Sequence, residues 1–149
     1  MISVKIFFIV GVSWVNLTVC FSQTVNGFYF AIEDRRNCAS IIYSLDEKER
    51  FCITKEPIIR DTEFESVSNI EYDQAGRSKF IKLRLTKRGF ALINMLSGQL
   101  YNKKLFLVVG NHLVAIVKEA GQIVNCTVLI SGPIDSKQID WVHDKLKKR

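Results

Sequence analysis

A chain of 149 residues with 21 basic and 15 acidic side chains, a net charge of +6, two histidines and four cysteines has room for about one domain. It contains no CxxC, no Cys/His metal spacing and no HExxH, P-loop, GxGxxG or GxSxG pattern, which argues against a zinc site and leaves no motif for an enzyme. No stretch after Gln23 is apolar for long enough to cross a bilayer as a helix.

Met1 to Lys5 carries one positive charge, "IFFIVGVSWVNLTV" (6–19) is mostly apolar, and "CFSQ" places Cys20 and Ser22 at the spacing of two small residues before a cut. This is the pattern of a secretory signal peptide over residues 1–22, cleaved near Ser22–Gln23, with a single domain over 23–149. Two alternatives stay open: a retained membrane anchor, and a lipid anchor on Cys20, although Val19 and Phe21 depart from the usual surroundings of an acylated cysteine. Loss of Lys5 with the leader takes the charge from +6 to +5. Lys145, Lys147, Lys148 and Arg149 form a basic tail suited to an anionic partner, nucleic acid or membrane surface. The favoured account is a solvated last helical turn, where cations complement the helix dipole. Export argues against nucleic acid.

"GFYFAIE" (27–33), "ASIIYSL" (39–45) and "RFCIT" (50–54) read as strands, with "DEKE" (46–49) as a turn. Pro57 holds Glu56 extended and ends the third strand. Asp61 or Thr62 is placed to cap a short helix running through Val67, with Glu63 and Glu65 in its first turn. "NIEYDQ" looks extended, "QAGR" is a turn, and "SKFIKLRL" is a strong strand. In it Ile81, Leu83 and Leu85 share one face while Lys82 and Arg84 share the other, as in a sheet with one wet side.

The period then changes. Thr86 is a natural N-cap, and Phe90, Ile93, Leu96 and Leu100 recur at helical spacing. Gly89 in the first turn costs about 1 kcal/mol relative to Ala, so its presence predicts a close backbone approach, most simply to a sheet. "KKLFLVVGNHLVAIV" is a hairpin about Gly110–Asn111, a pair suited to a primed turn. "QIVNCTVLISG" (122–132) reads as one extended run ending at Gly132. Pro133 breaks the chain, Asp135 or Ser136 caps a last helix, and Ile139, Val142 and Leu146 form its apolar stripe with Trp141 at the edge. The order predicts an α+β single domain, mainly an antiparallel sheet with two principal helices packed on it.

Chemistry is sparse. His112 and His143 belong to no ligand pattern, and the carboxylates Asp61, Glu63, Glu65, Glu71 and Asp73 read as a solvated acidic face. A hydrolase built on Glu63 and Glu65 is the remaining catalytic alternative. "NCT" (125–127) spells a glycosylation acceptor but falls inside a predicted strand. Cys38 and Cys52 flank a predicted hairpin, so a disulfide between them is plausible in an oxidising compartment. Cys126 is then the odd thiol, expected as a small buried hydrophobe.

From Glu56 onward the order of features resembles the head part of the first periplasmic domain of SecD and fused SecDF proteins, auxiliary components of bacterial protein export. The likeness is carried by "LTKRG" (Leu85 to Gly89), "NKKLFLVVGNHLVAIV" (102–117), "ISG" (130–132) and "PIDSKQIDWVHDKL" in the final-helix position. "FYFAIE" and "KEPIIRDTEFESV" fit the earlier strand and short helix more weakly. Thr86, Gly89, Gly110, Asn111 and Gly132 are the motif positions. The chain departs from the family at "VKEAGQIV", where a post-hairpin proline is missing and a Gly-rich loop is reduced to Gly121. SecD also carries transmembrane helices and couples translocation to protons, and nothing here corresponds to them.

The resemblance implies the fold and an affinity for polypeptide, not a translocation motor. The expected function is an exported, non-catalytic binding module of the periplasm or cell envelope, without cofactors. Its partner would be a protein or unfolded polypeptide, met along a sheet edge or the groove beside the Thr86 helix, with Phe80, Lys82 and Arg84 as the exposed strand face. The alternative is an accessory subunit of an envelope complex.

Overall fold

Short runs of aromatic and β-branched residues between polar turns build strands, and eleven are present among the residues that the structure, a computed structural model, describes: 24–96, 103–118, 123–131 and 136–148. The leader with Cys20, and Leu100, Gly132 and Pro133, lie outside them. The strands are β1 (Gly27–Ile32), β2 (Ser40–Ser44), β3 (Arg50–Ile53), β4 (Ile59–Arg60), β5 (Phe64–Val67), β6 (Glu71–Tyr72), β7 (Lys79–Leu85), β8 (Leu105–Val109), β9 (His112–Val117), β10 (Ile123–Val124) and β11 (Thr127–Ile130). The helices are α1 (Lys87–Met95) and α2 (Ser136–Lys147).

Two sheets form rather than one. The first runs β3-β2-β9-β8-β1-β4, and β1 also pairs with β3, so five strands close into a small barrel with β4 appended. The closure is antiparallel, Ala31 opposite Ile53 and Ile32 opposite Cys52. The β2–β9 pair is parallel, Tyr43 opposite His112 and Ser44 opposite Leu113. The sheet is therefore mixed, though its other pairs are antiparallel as expected, and two sheets stand where one was expected. A parallel pair joins strands distant in sequence, and neither partner carries a local signal for it. The second sheet, β10-β11-β7-β5 with β6 also on β7, is antiparallel throughout.

Closure explains the unbroken apolar runs. Along β8, Leu105, Leu107 and Val109 face the core between the sheets while Phe106 and Val108 fill the barrel with Tyr29, Ile42 and Ile53. A strand covered on both faces has no polar alternate, and no residue of "LFLVV" exceeds 4% exposure. In the larger core, Phe28 and Leu107 of the barrel meet Ile81, Leu83, Leu85, Val128 and Ile130 of the second sheet. Ile139, Val142 and Leu146 of α2 and Ile93 of α1 join them. Burying about a dozen such side chains at 1.5–3 kcal/mol each is the main favourable term.

Two further expectations are corrected. Residues 61–67 are not a helix: a 3-10 turn covers Asp61–Glu63 and β5 follows. No side chain caps the turn, and pairing of Phe64 with Leu85 and Val67 with Leu83 across a bulge buries Phe64 instead. The run through residues 123–130 is not one strand. Asn125 and Cys126 both take positive φ (51° and 61°) and fold β10 back on β11 as a tight hairpin. Cys126 is thereby half-buried at a turn, its carbonyl accepting from the Leu85 amide at 2.7 Å, rather than a core residue, and the "NCT" triplet begins at this turn.

Candidate functional site

The switch from β7 to α1 is built around one threonine. Thr86 is extended (φ −61°, ψ 160°), and its hydroxyl oxygen accepts from the Gly89 amide at 3.0 Å. Its hydroxyl donates in turn to the Glu63 carboxylate. Its amide donates to the Glu63 carbonyl at 2.9 Å. A Cβ at Gly89 would stand 3.0 Å from Glu63 Cβ and 3.2 Å from its carbonyl oxygen. The close approach is thus to the turn that leads into β5, and Glu63 is the partner that spacing alone did not reveal. Its carboxylate at a helix N-terminus also complements the dipole, with Arg88 Nε 3.5 Å away. The acidic run is accordingly dispersed: Glu63 serves the cap, while Glu65 and Glu71 serve β7.

Phe80, Lys82 and Arg84 lie side by side on the outward face of β7, Phe80 half-buried and Lys82 and Arg84 exposed. Lys82 Nζ reaches Glu71 Oε2 at 2.7 Å and sits 5.5 Å from the Phe80 ring centre. Arg84 Nε reaches Glu65 Oε2 at 2.7 Å. Leu129, opposite Lys82, and Val124, opposite Thr127, are 52% and 63% exposed. The face therefore combines exposed apolar side chains with ion-paired cations. Beyond it β10, two residues long, has no further strand among the described residues.

At the other landmarks, Gly110 and Asn111 adopt φ of 55° and 68°, the left-handed pair of a primed turn. Trp141 stands over Gly110, 3.3 Å from where a Cβ would sit. Asn111 Oδ1 accepts from the Thr24 amide at 2.8 Å. Cys38 and Cys52 are joined by a disulfide with Cα atoms 5.2 Å apart, tying the segment before β2 to β3. His112 lies against Trp141, ring centres 5.2 Å apart, its Nδ1 2.8 Å from the Gly110 carbonyl. His143 is mostly buried on α2, and its Nε2 has no hydrogen-bond partner among the described residues. No three His, Cys, Asp or Glu side chains gather as a metal site, and no helix is long and apolar enough to span a membrane, among the described residues.

One interior group is electrostatically distinctive. Tyr29 projects into the barrel at 1% exposure and donates to the Val25 carbonyl at 2.6 Å. Burial, reinforced by the charge of Glu56, pushes its phenol up to about 12. At the surface, Asp73 is held below the usual carboxylate range by the Arg77 amide that it accepts from, which fixes the β6–β7 turn.

A closed mixed barrel sharing its core with a helix-backed antiparallel sheet defines the fold class. Solved structures of SecDF carry the same fold. One, of SecDF as a membrane component that enhances protein export, matches with a TM-score of 0.57 and 16% identity over 84% of this chain and 62% of that one. Another, of SecDF in its super-membrane-facing form, matches at 0.56 and 14% over 83% of this chain and 18% of that one. The chain thus spans less than two thirds of either neighbour. At these identities the likeness is one of fold, and it is the likeness that the order of motifs suggested. No protein-family model and no curated protein sequence matches the chain.

Proposed function

We propose that the chain is an exported, non-catalytic module of the bacterial envelope that binds polypeptide, either an unfolded chain or a protein partner. The observation that carries this reading is the outward face of the second sheet, where Phe80, Leu129 and Val124 lie exposed or half-exposed beside Lys82 and Arg84. The short edge strand β10 flanks it. An unpaired strand edge offers main-chain donors and acceptors to an extended segment, and the adjoining side chains then read that segment. Carboxylates on the incoming chain would compete with Glu71 and Glu65 for the two cations. The fold shared with SecDF, described as enhancing protein export, supports the same direction.

The test is titration of the protein into a fluorescently labelled, permanently unfolded polypeptide whose cysteines are carbamidomethylated. Saturable binding is expected, absent for the same polypeptide in its native state. The variant Phe80→Ala/Lys82→Ala/Arg84→Ala is expected to weaken binding about tenfold or more. Absence of any binding overturns the unfolded-chain reading and leaves the protein partner, and binding that survives the triple substitution overturns the face.

A further inference from the structure

The described domain begins at Thr24, and 23 residues precede it in the sequence. Thr24 is pinned at the tip of the β8–β9 hairpin through Asn111 Oδ1, which accepts from both its amide and its hydroxyl. The C-terminal turn of α2 lies beside it: Thr24, Val25, Asn111, Lys145 and Lys148 line one cleft of 530 Å³.

Three lysines stand at the C-terminal end of α2, two of them, Lys145 and Lys148, in the cleft. Lys145 Nζ is held 5.9 Å from the Trp141 ring centre, Lys147 Nζ donates to Asn69 Oδ1 at 3.0 Å, and Lys148 borders the cleft. None of the three makes an ion pair among the described residues. Four of the five cations of β7 and α1, by contrast, face carboxylates: Lys79–Asp140, Lys82–Glu71, Arg84–Glu65 and Arg88–Glu63. The carboxylates near the lysines are Asp61, which also lines the cleft, and Asp144, beside His143. Val25, in the same cleft, is 48% exposed.

A helix dipole accounts for cations in a last turn but not for their position at the point where the N-terminal segment joins the domain. That segment carries the apolar run 6–19, and Cys20 stands four residues before Thr24. Four extended residues reach about 14 Å at most. In the two alternatives in which that segment stays on the chain, a retained anchor or a lipid on Cys20, its attachment to a membrane would bring the lysines to within a Debye length or two of the headgroups, about 8 Å each at physiological salt.

We propose that the end of the molecule formed by Thr24, Val25 and the α2 lysines is a docking surface for an anionic lipid bilayer. Lys145, Lys147 and Lys148 face the headgroups while the second sheet, with its outward face, stays in water. Basic side chains near such a surface act cumulatively, and three of them raise partition about a hundredfold.

The experiment floats the full chain with vesicles of phosphatidylcholine alone or with about a third of the lipid replaced by phosphatidylglycerol, at low and high salt. The phosphatidylcholine arm reads whatever the N-terminal segment contributes by itself. Binding is expected to rise with the anionic lipid and to fall at high salt. Lys145→Gln/Lys147→Gln/Lys148→Gln is expected to remove about a hundredfold of the anionic component. Arg50→Gln/Lys103→Gln/Lys104→Gln removes the same charge from residues that do not line the cleft and is expected to retain it; thermal melts check that both variants fold.

Equal binding to the two vesicles, equal losses in the two variants, or insensitivity to salt overturns the proposal. Displacement by duplex DNA at matched phosphate concentration also overturns it, because the surface would then be a general polyanion site. If the α2 variant does not fold, the wild-type lipid and salt comparisons still decide.

Discussion

Tyr29 shows how much one atom's surroundings decide. Its ring fills the barrel, and its hydroxyl needs a partner once buried, which Val25 supplies. The sequence "FYF" offers three similar aromatics; strand alternation sends Phe28 and Phe30 to one face and Tyr29 to the other, and closure of the ring makes that second face a core. The consequence is measurable. The folded phenol ionises at about 12 against an ordinary 10.0, so folding favours its neutral form. That contribution is complete below pH 10, the unfolded value, and disappears as pH rises through the folded value near 12. In chemical denaturation between neutrality and pH 12, the wild type is expected to lose stability over this window. Tyr29→Phe should lose distinctly less, while costing about 1 kcal/mol at neutral pH for the missing hydrogen bond. Parallel pH curves for the two proteins would place the alkaline sensitivity elsewhere.

At the scale of elements, the legible parts were those whose signals are local. Thr86 announces a helix start because a cap is satisfied within four residues, and Gly110–Asn111 announces a hairpin because the turn alone demands left-handed backbone. Residues 61–67 misled because acidic residues after a potential cap look helical in isolation. The free edge of β7 at Leu83 and Leu85 recruits Phe64 and Val67 as a strand instead. Asn125–Cys126 misled because Cys is not a habitual turn residue, and the turn is held by a tertiary bond to Leu85.

The same locality separates the visible half of the Thr86 site from the hidden half, since Glu63 is 23 residues away. Removal of the cap should therefore cost more than a cap alone. Thr86→Ala forfeits the Gly89 contact and strands the partly buried Glu63 carboxylate, for about 2 kcal/mol, the upper end for such caps. Thr86→Ser keeps both oxygen contacts and should stay within about 0.5 kcal/mol of wild type. Urea midpoints decide, and equal losses for Ala and Ser would mean that the hydroxyl is not the stabilising group.

At the scale of the molecule, closure of the barrel was invisible because it depends on β1 meeting β3 and β2 meeting β9, pairings for which no short stretch carries a mark. The outward face of β7 was readable from its alternation, but whether its cations were free or already paired was not. The disulfide bears directly on closure. Cys52 lies in β3 between Ile41 of β2 and Ile32 of β1, and Cys38 anchors the connection from β1 to β2. The bond spans a separation of 14 residues, and cross-linking a loop of that size stabilises by about 3 kcal/mol in the chain-entropy account.

Protein isolated from its cells without reductant should therefore leave Cys38 and Cys52 unalkylated after unfolding while Cys126 takes the label, read by peptide mass. Reduction, or Cys38→Ser/Cys52→Ser, should lower the unfolding free energy by about 2–4 kcal/mol. The chain should nevertheless remain folded, because Tyr29, Ile42, Ile53, Phe106 and Val108 still fill the barrel. Full alkylation of Cys38 and Cys52 in the isolated protein would remove the oxidising compartment from the proposed function. Unchanged stability on reduction would instead mean that packing of the barrel alone holds β3 against β1.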